Sequence, residues 1–291
     1  MKEQFRTKNL GVKSKDLLVK AISVVEEYES QDIILTLRQL YYQLVARDVI
    51  PNDLKSYKKL GNLIKDGRYL GLIDWIAIED RGRIAERHSQ FENVADLVET
   101  AINSYRLDRW KNQKFYVELW TEKDALTSVL KPISDTWHVF FAVNKGYSSA
   151  SAIYEAGQRF RAVEGKKRIV LYLGDHDPSG LDMVRDIQER LNEFGAEVVV
   201  VHIALTFNQV QEFNPPPNYA KLKDPRAKEY VNKFGEKSWE VDALNPKVMT
   251  ELVNNAIKKY VDLNEMKKII EQEETEKEKL KDFAEDLKEN D

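Results

Sequence analysis

Three short segments carry side chains that together could break a phosphodiester bond. The first is Thr36-Leu37-Arg38-Gln39-Leu40-Tyr41-Tyr42, the second Glu122-Lys123-Asp124-Ala125, and the third Asp175-His176-Asp177-Pro178-Ser179-Gly180. Arg38 and Tyr42 stand four residues apart, on one face of a helix, where a guanidinium can favour phenolate and offset charge on a phosphorane. Asp175 and Asp177 are two apart, so in an extended segment both carboxylates point one way and His176 the other. Aligned carboxylates repel unless a cation lies between them, and hard oxygen ligands suit magnesium or manganese better than zinc. Glu122 is the third candidate ligand. Each segment also has a plainer reading. Paired aromatics on a helix are usually core, Asp-Pro-Ser-Gly is a turn whose aspartates cap the next helix, and glutamate at a helix start is commonplace.

The elements that must position these groups can be read from the patterning. Thr36 is a candidate N-cap, completed by Gln39 as a capping box, so Arg38, Tyr41 and Tyr42 lie in the first turns of a helix. Apolar spacing predicts an amphipathic helix over 14–29 and, after the Pro51-Asn52 break, another over 53–70. The segment 71–78 reads as a hairpin. Three helices and a hairpin make a winged helix, whose third helix enters a DNA groove. Lys55, Lys58, Lys59, Lys65 and Arg68 fall within that third helix, with Arg81, Arg83 and Arg87 close behind. They form either a DNA-facing surface or a solvated charged face.

After a helix over 91–109 the pattern changes. Strands over 115–120, 139–143, 168–173 and 197–203 alternate with helices over 124–130, 150–163 and 179–194. This is an α/β pattern, a parallel sheet with helices on both faces. In such sheets the site lies beyond the carboxyl ends of the strands, where Glu122, Asp175 and Asp177 all fall. Glu240 and Asp242 could approach it, although a solvated edge is expected there. The prolines of 213–219 predict a rigid extended connector.

Composition sets outer bounds. At 291 residues, 42% hydrophobic and 32% charged, the chain is long enough for two domains with a real core. No apolar run approaches a membrane span, and the first residues lack the apolar stretch of a secretory signal. The absence of cysteine excludes disulfides and thiolate metal sites. A cytoplasmic protein is expected. A net charge of -4 does not advertise a nucleic-acid binder. Residues 265–291, however, hold eleven acids against six bases, about −5 in total, and leave the rest of the chain at about +1.

Taken together, Thr36-x-Arg38-x-x-Tyr41-Tyr42 resembles the catalytic-tyrosine motif of the A subunit of topoisomerase VI and of the related meiotic double-strand-break transesterase. Glu122-Lys123-Asp124-Ala125 is similar to the first Toprim motif of that family, and Asp175-His176-Asp177-Pro178-Ser179-Gly180 to its Asp-x-Asp-Pro-x-Gly segment. Asn144-Lys145-Gly146-Tyr147 resembles its Lys-Gly-Tyr loop, but Ser148-Ser149 stands where the family usually has Pro-Asp. The resemblance runs from about Thr36 to Leu244. It implies a winged-helix domain over 1–110, mostly α, carrying the tyrosine. A Toprim-type α/β domain would follow over 111–262, then a charged helix or tail over 263–291. It further implies a type IIB topoisomerase A-like enzyme acting on double-stranded DNA as a homodimer, one subunit's tyrosine meeting the other's metal site. Tyr42 would become linked to a 5′ phosphate, with Arg38 and Glu122 as its catalytic companions. Glu122, Asp175 and Asp177 would hold Mg2+ or Mn2+, and Lys145 would join the basic helix in contacting DNA. A topoisomerase of this type needs a separate ATPase subunit, and nothing in this sequence resembles one. Two alternatives stay open: a Toprim nuclease using metal-activated water, and a non-enzymatic winged-helix DNA-binding protein.

Overall fold

Side-chain caps start two of the three helices of the N-terminal layer. The computed structural model of the chain describes residues 2, 4–79, 90–91, 93–144, 146, 148–219 and 224–289. Helix α1 (Val12–Glu29) is followed by the short strand β1 (Leu35–Thr36), α2 (Leu37–Ala46), α3 (Leu54–Tyr69) and β2 (Ile78–Glu79). The capping box forms as the sequence predicts: Thr36 Oγ1 accepts from the Gln39 N–H, and Gln39 Oε1 accepts from the Thr36 N–H at 2.8 Å. Asp53 caps α3 by accepting from the Ser56 N–H at 2.6 Å. Leu17, Leu18, Tyr28, Leu40, Leu44, Leu60 and Ile64 close a core among the three helices.

The hairpin expected over 71–78 is absent. Gly71, at φ +70, ends the turn after α3, and β2 pairs in parallel with β1, Leu35 opposite Ile78. Only one extended run exists there, and its apolar Ile78 is buried best beside Leu35. Arg81, Arg83 and Arg87 lie outside the described residues.

Helix α4 (Val94–Ser104) leads into the larger layer: β3 (Phe115–Thr121), α5 (Thr127–Trp137), β4 (Phe140–Val143), α6 (Ala150–Arg161), β5 (Lys167–Leu173), α7 (Pro178–Glu193) and β6 (Val198–Ala204). The four strands form one parallel sheet in the order β4-β3-β5-β6. Alternation along β3 sends Leu119 to one face, against Leu126, Val129 and Ile133 at the start of and along α5, and Trp120 to the other, against Ile153 and Phe160 of α6. The fold is mixed α/β, with helices on both faces of the parallel sheet.

The remaining chain is α8 (Phe207–Phe213), β7 (Asn218–Tyr219), α9 (Ala227–Phe234), β8 (Lys237–Ser238), α10 (Pro246–Lys258) and α11 (Leu263–Glu289). The highly charged C-terminal segment is therefore helical, and it is anchored. Glu273, fully buried, accepts from the Leu107 N–H at 2.9 Å, Arg109 Nη2 at 3.1 Å and Lys277 Nζ at 3.0 Å. Burial raises its pKa less than these donors lower it, and the carboxyl is held down at about 2. A depressed carboxylate stabilises the fold above its unfolded value near 4.5 and loses that contribution as pH falls toward 2. Glu273→Gln is expected to cost roughly 2–3 kcal/mol at pH 7 and to flatten the acid limb of stability, measured by urea unfolding from pH 7 down.

Candidate active site at the joint between the two layers

The carboxyl end of the sheet collects the two acidic motifs. Glu122 and Lys123 follow β3, and the Glu122 N–H donates to the Leu173 carbonyl at 3.2 Å, tying them to the end of β5. Asp175 follows β5. Asp177 begins α7 as its N-cap, Oδ1 accepting from the Gly180 N–H at 2.7 Å and from Ser179 Oγ at 2.9 Å. A side-chain carbon on Gly180 would collide with the Asp175 carbonyl, so the turn requires glycine. The capping reading of Asp-Pro-Ser-Gly is thus correct for Asp177 Oδ1, which leaves Oδ2. His176 points the opposite way, as alternation predicts, into Phe207, Tyr230, Phe234 and Trp239.

His176 also forms an antiparallel bridge with Trp239, its N–H donating to the Trp239 carbonyl at 2.8 Å. That bridge lays the chain of Glu240 and Asp242 beside Asp175, whose Oδ1 accepts from the Val241 N–H at 2.9 Å. The expectation that Glu240 and Asp242 sit at a solvated edge is overturned. Asp242 is 0% exposed, and both are bound by cations. Lys123 Nζ lies 2.8 Å from Asp175 Oδ1, 2.8 Å from Glu240 Oε2 and 3.0 Å from Asp242 Oδ1. Arg38 Nε is 2.8 Å from Asp242 Oδ2, and its Nη2 bonds Glu240 Oε2.

Arg38 therefore carries α2, and Tyr42 with it, onto the acidic cluster. The Arg38 guanidinium carbon stands 5.8 Å from the centre of the Tyr42 ring, as their spacing predicts. Its electrostatic effect differs from the expectation. Burial first, then Glu240 and Asp242, push the Tyr42 phenol above its ordinary range and outweigh Arg38, whose charge those two acids engage. Tyr42 is 3% exposed, and its hydroxyl meets Asn218 Nδ2 at 3.5 Å. It nevertheless lines a cleft of about 240 Å³ with Arg38, Tyr57, Asn218 and Glu240. Tyr41 lines the same cleft, donating to Asn52 Oδ1 at 2.9 Å. The connector 213–219 packs here as well: Asn52 Nδ2 donates to the Pro217 carbonyl at 2.9 Å and to Asn218 Oδ1 at 3.1 Å.

Glu122 and Asp175 are the acids in electrostatic difficulty. Both carboxyls are pushed up, by burial first; the other charges that raise them are chiefly Asp177 for Glu122, and Glu122 and Asp242 for Asp175, with Lys123 acting against each rise. Tyr172 donates to Glu122 Oε2 at 3.4 Å. A half-buried and a buried carboxylate side by side, with a third nearby, are a donor set of hard oxygens, the type that suits Mg2+ or Mn2+. Among the described residues no group of three or more His, Asp or Glu is already placed so that it could hold a metal ion.

A second cleft, about 830 Å³, opens on the other side of Arg38. Lys65, Arg68, Tyr57, Tyr69 and Trp75 line it from the helical layer, and Asp124 and Ala125 from the sheet layer. Lys55, Lys58 and Lys59 are exposed on α3 but do not line this cleft. Lys145 lies outside the described residues. Lys123 and Asn218 are the functional candidates that sequence reasoning passed over, while Glu240 and Asp242 were expected at a solvated edge. The adjacency of Lys123 to Glu122 was the one local signal. No family model and no curated protein matches this chain. No helix among the described residues is long and apolar enough to cross a membrane.

Proposed function

We propose that the chain is a DNA-cleaving enzyme of the topoisomerase VI A type, a winged-helix-like layer of three helices, without the hairpin expected over 71–78, joined to a Toprim-type sheet. In this reading the Tyr42 hydroxyl oxygen bonds to a backbone phosphorus, the bond from phosphorus to the 3′ oxygen breaks, and that oxygen leaves as a hydroxyl. A 5′-phosphotyrosyl link conserves the energy of the broken bond. The observation that carries the reading is the joint itself. Arg38 and Tyr42, from one end of the sequence, are docked by ion pairs onto the cluster built from Glu122, Asp175, Glu240 and Asp242.

In this scheme Glu122 and Asp175 would hold the divalent ion, with Asp177 beside them, and once bound there it would supply charge neutralisation for the transferring phosphate. Arg38, between the two clefts, offers its guanidinium to the same phosphate. The basic and aromatic lining of the larger cleft suits a nucleic-acid strand, and Lys55, Lys58 and Lys59 extend that positive surface along α3. The working unit is a homodimer acting on double-stranded DNA in the cytoplasm, and resealing after strand passage calls for a separate ATPase subunit. Burial of Tyr42 favours a second reading, a Toprim nuclease in which metal-activated water attacks and the phenol is structural.

The test is incubation of supercoiled plasmid with the protein and Mg2+ or Mn2+, stopped with detergent and resolved with and without protease. Broken DNA whose migration changes only after protease is the expected result, with cleavage lost in Asp175→Ala. Freely migrating fragments that still need Asp175 would select the nuclease.

A further inference from the structure

Sites that transfer phosphoryl groups often hold two metal ions, each needing its own carboxylates. Here the acids divide into two sets. Glu240 and Asp242 are matched by two side-chain cations, Lys123 and Arg38. Glu122, by contrast, adjoins Asp175 with Asp177 nearby, and this set exceeds the cationic charge reaching it.

Lys123 is unusual in its completeness. An ammonium has three hydrogens to donate, and Lys123 Nζ has three carboxylate oxygens within 3.0 Å, from Asp175, Glu240 and Asp242. Its side chain is only 15% exposed, so water competes little for those oxygens. Asp175 links the sets through Oδ1, which also accepts from the Val241 N–H. We propose that Lys123 is a resident cation standing where a second metal ion would sit, so that the cluster takes one divalent ion, at Glu122 and Asp175, rather than two. The inference rests on reading Glu122 and Asp175 as cation ligands. Lys123 is then a positioning residue: it fixes Asp175 and Glu240 and sets the metal count.

Mn2+ titration without DNA, following the free-ion signal by electron paramagnetic resonance, tests this directly. The wild-type chain is expected to bind one Mn2+, lost in Asp175→Asn. Lys123→Met is expected to bind two, Lys123→Arg one, and Lys123→Met combined with Asp242→Asn one again. A merely structural lysine would not move the count in this pattern. Two Mn2+ in the wild-type chain, none in the wild-type chain, or an unchanged count in Lys123→Met would each overturn the inference. Should Lys123→Met not fold, the wild-type and Asp242→Asn counts still decide: both are expected at one, and two falling to one overturns it. A chain that binds one Mn2+ but leaves plasmid intact keeps the inference and loses the cleavage reading.

Discussion

Tyr42→Phe is expected to abolish covalent capture of plasmid DNA, by roughly a thousandfold or more, because it removes the oxygen to which the proposed reaction assigns the link. The same change should leave stability within about 1 kcal/mol, since the hydroxyl makes only a long hydrogen bond to Asn218. That separation of activity from folding makes the substitution diagnostic. The phenol is held above its ordinary range by burial and by Glu240 and Asp242, so cleavage by the wild-type chain should climb from about pH 7 to 9 as phenolate becomes available. Mixing subunits adds the dimer question. Neither Tyr42→Phe nor Asp175→Ala cleaves alone in this scheme, but their mixture should nick plasmid if one subunit's tyrosine works at the other's carboxylates. Full cleavage by Tyr42→Phe, with no covalent adduct in the wild-type chain, would leave the nuclease.

Lys123→Met should have the largest effect on folding. It removes the ammonium shared by three buried or half-buried carboxylates, and breaking a buried ion pair by deleting one partner costs about 3–5 kcal/mol. The pH dependence has a definite sign. Glu240 is lowered from 4.5 to about 2, Lys123 and Arg38 overcoming its burial. Its contribution is therefore full above its unfolded value and lost as pH falls through the folded one. Urea unfolding should show a wide gap between wild type and variant at pH 7 that narrows as pH drops toward about 3. A gap of constant width would mean that the fold responds to altered packing at this position rather than to the lost charge.

What could be read from the sequence was local. The capping box needs only Thr36 and Gln39, and the sheet with its covering helices follows from periods of two and 3.6 within single segments. The positions of Glu122, Asp175 and Asp177 beyond the strands follow from the same alternation. The partners of Arg38 could not be read this way, because Glu240 and Asp242 lie some two hundred residues on and arrive through the bridge between His176 and Trp239. Sequence spacing put Arg38 beside Tyr42 correctly but could not show which acids would claim its charge. Likewise, the segment 71–78 has the turn residues of a hairpin, but the pairing of Ile78 with Leu35 depends on a strand more than forty residues earlier.

The ionic character of the joint makes it sensitive to electrolyte. Across it the apolar contribution is modest, chiefly Ala243 within the helical core and Ile33 touching both cores, while Arg38 supplies two ion pairs. A polyanion that draws the guanidinium away from Glu240 and Asp242 takes the place of those acids, so strand binding and loosening of the two layers share one free energy and must strengthen each other. Dissolved salt, by screening the same charges, would slacken the layers and weaken the grip on a polyanion at once.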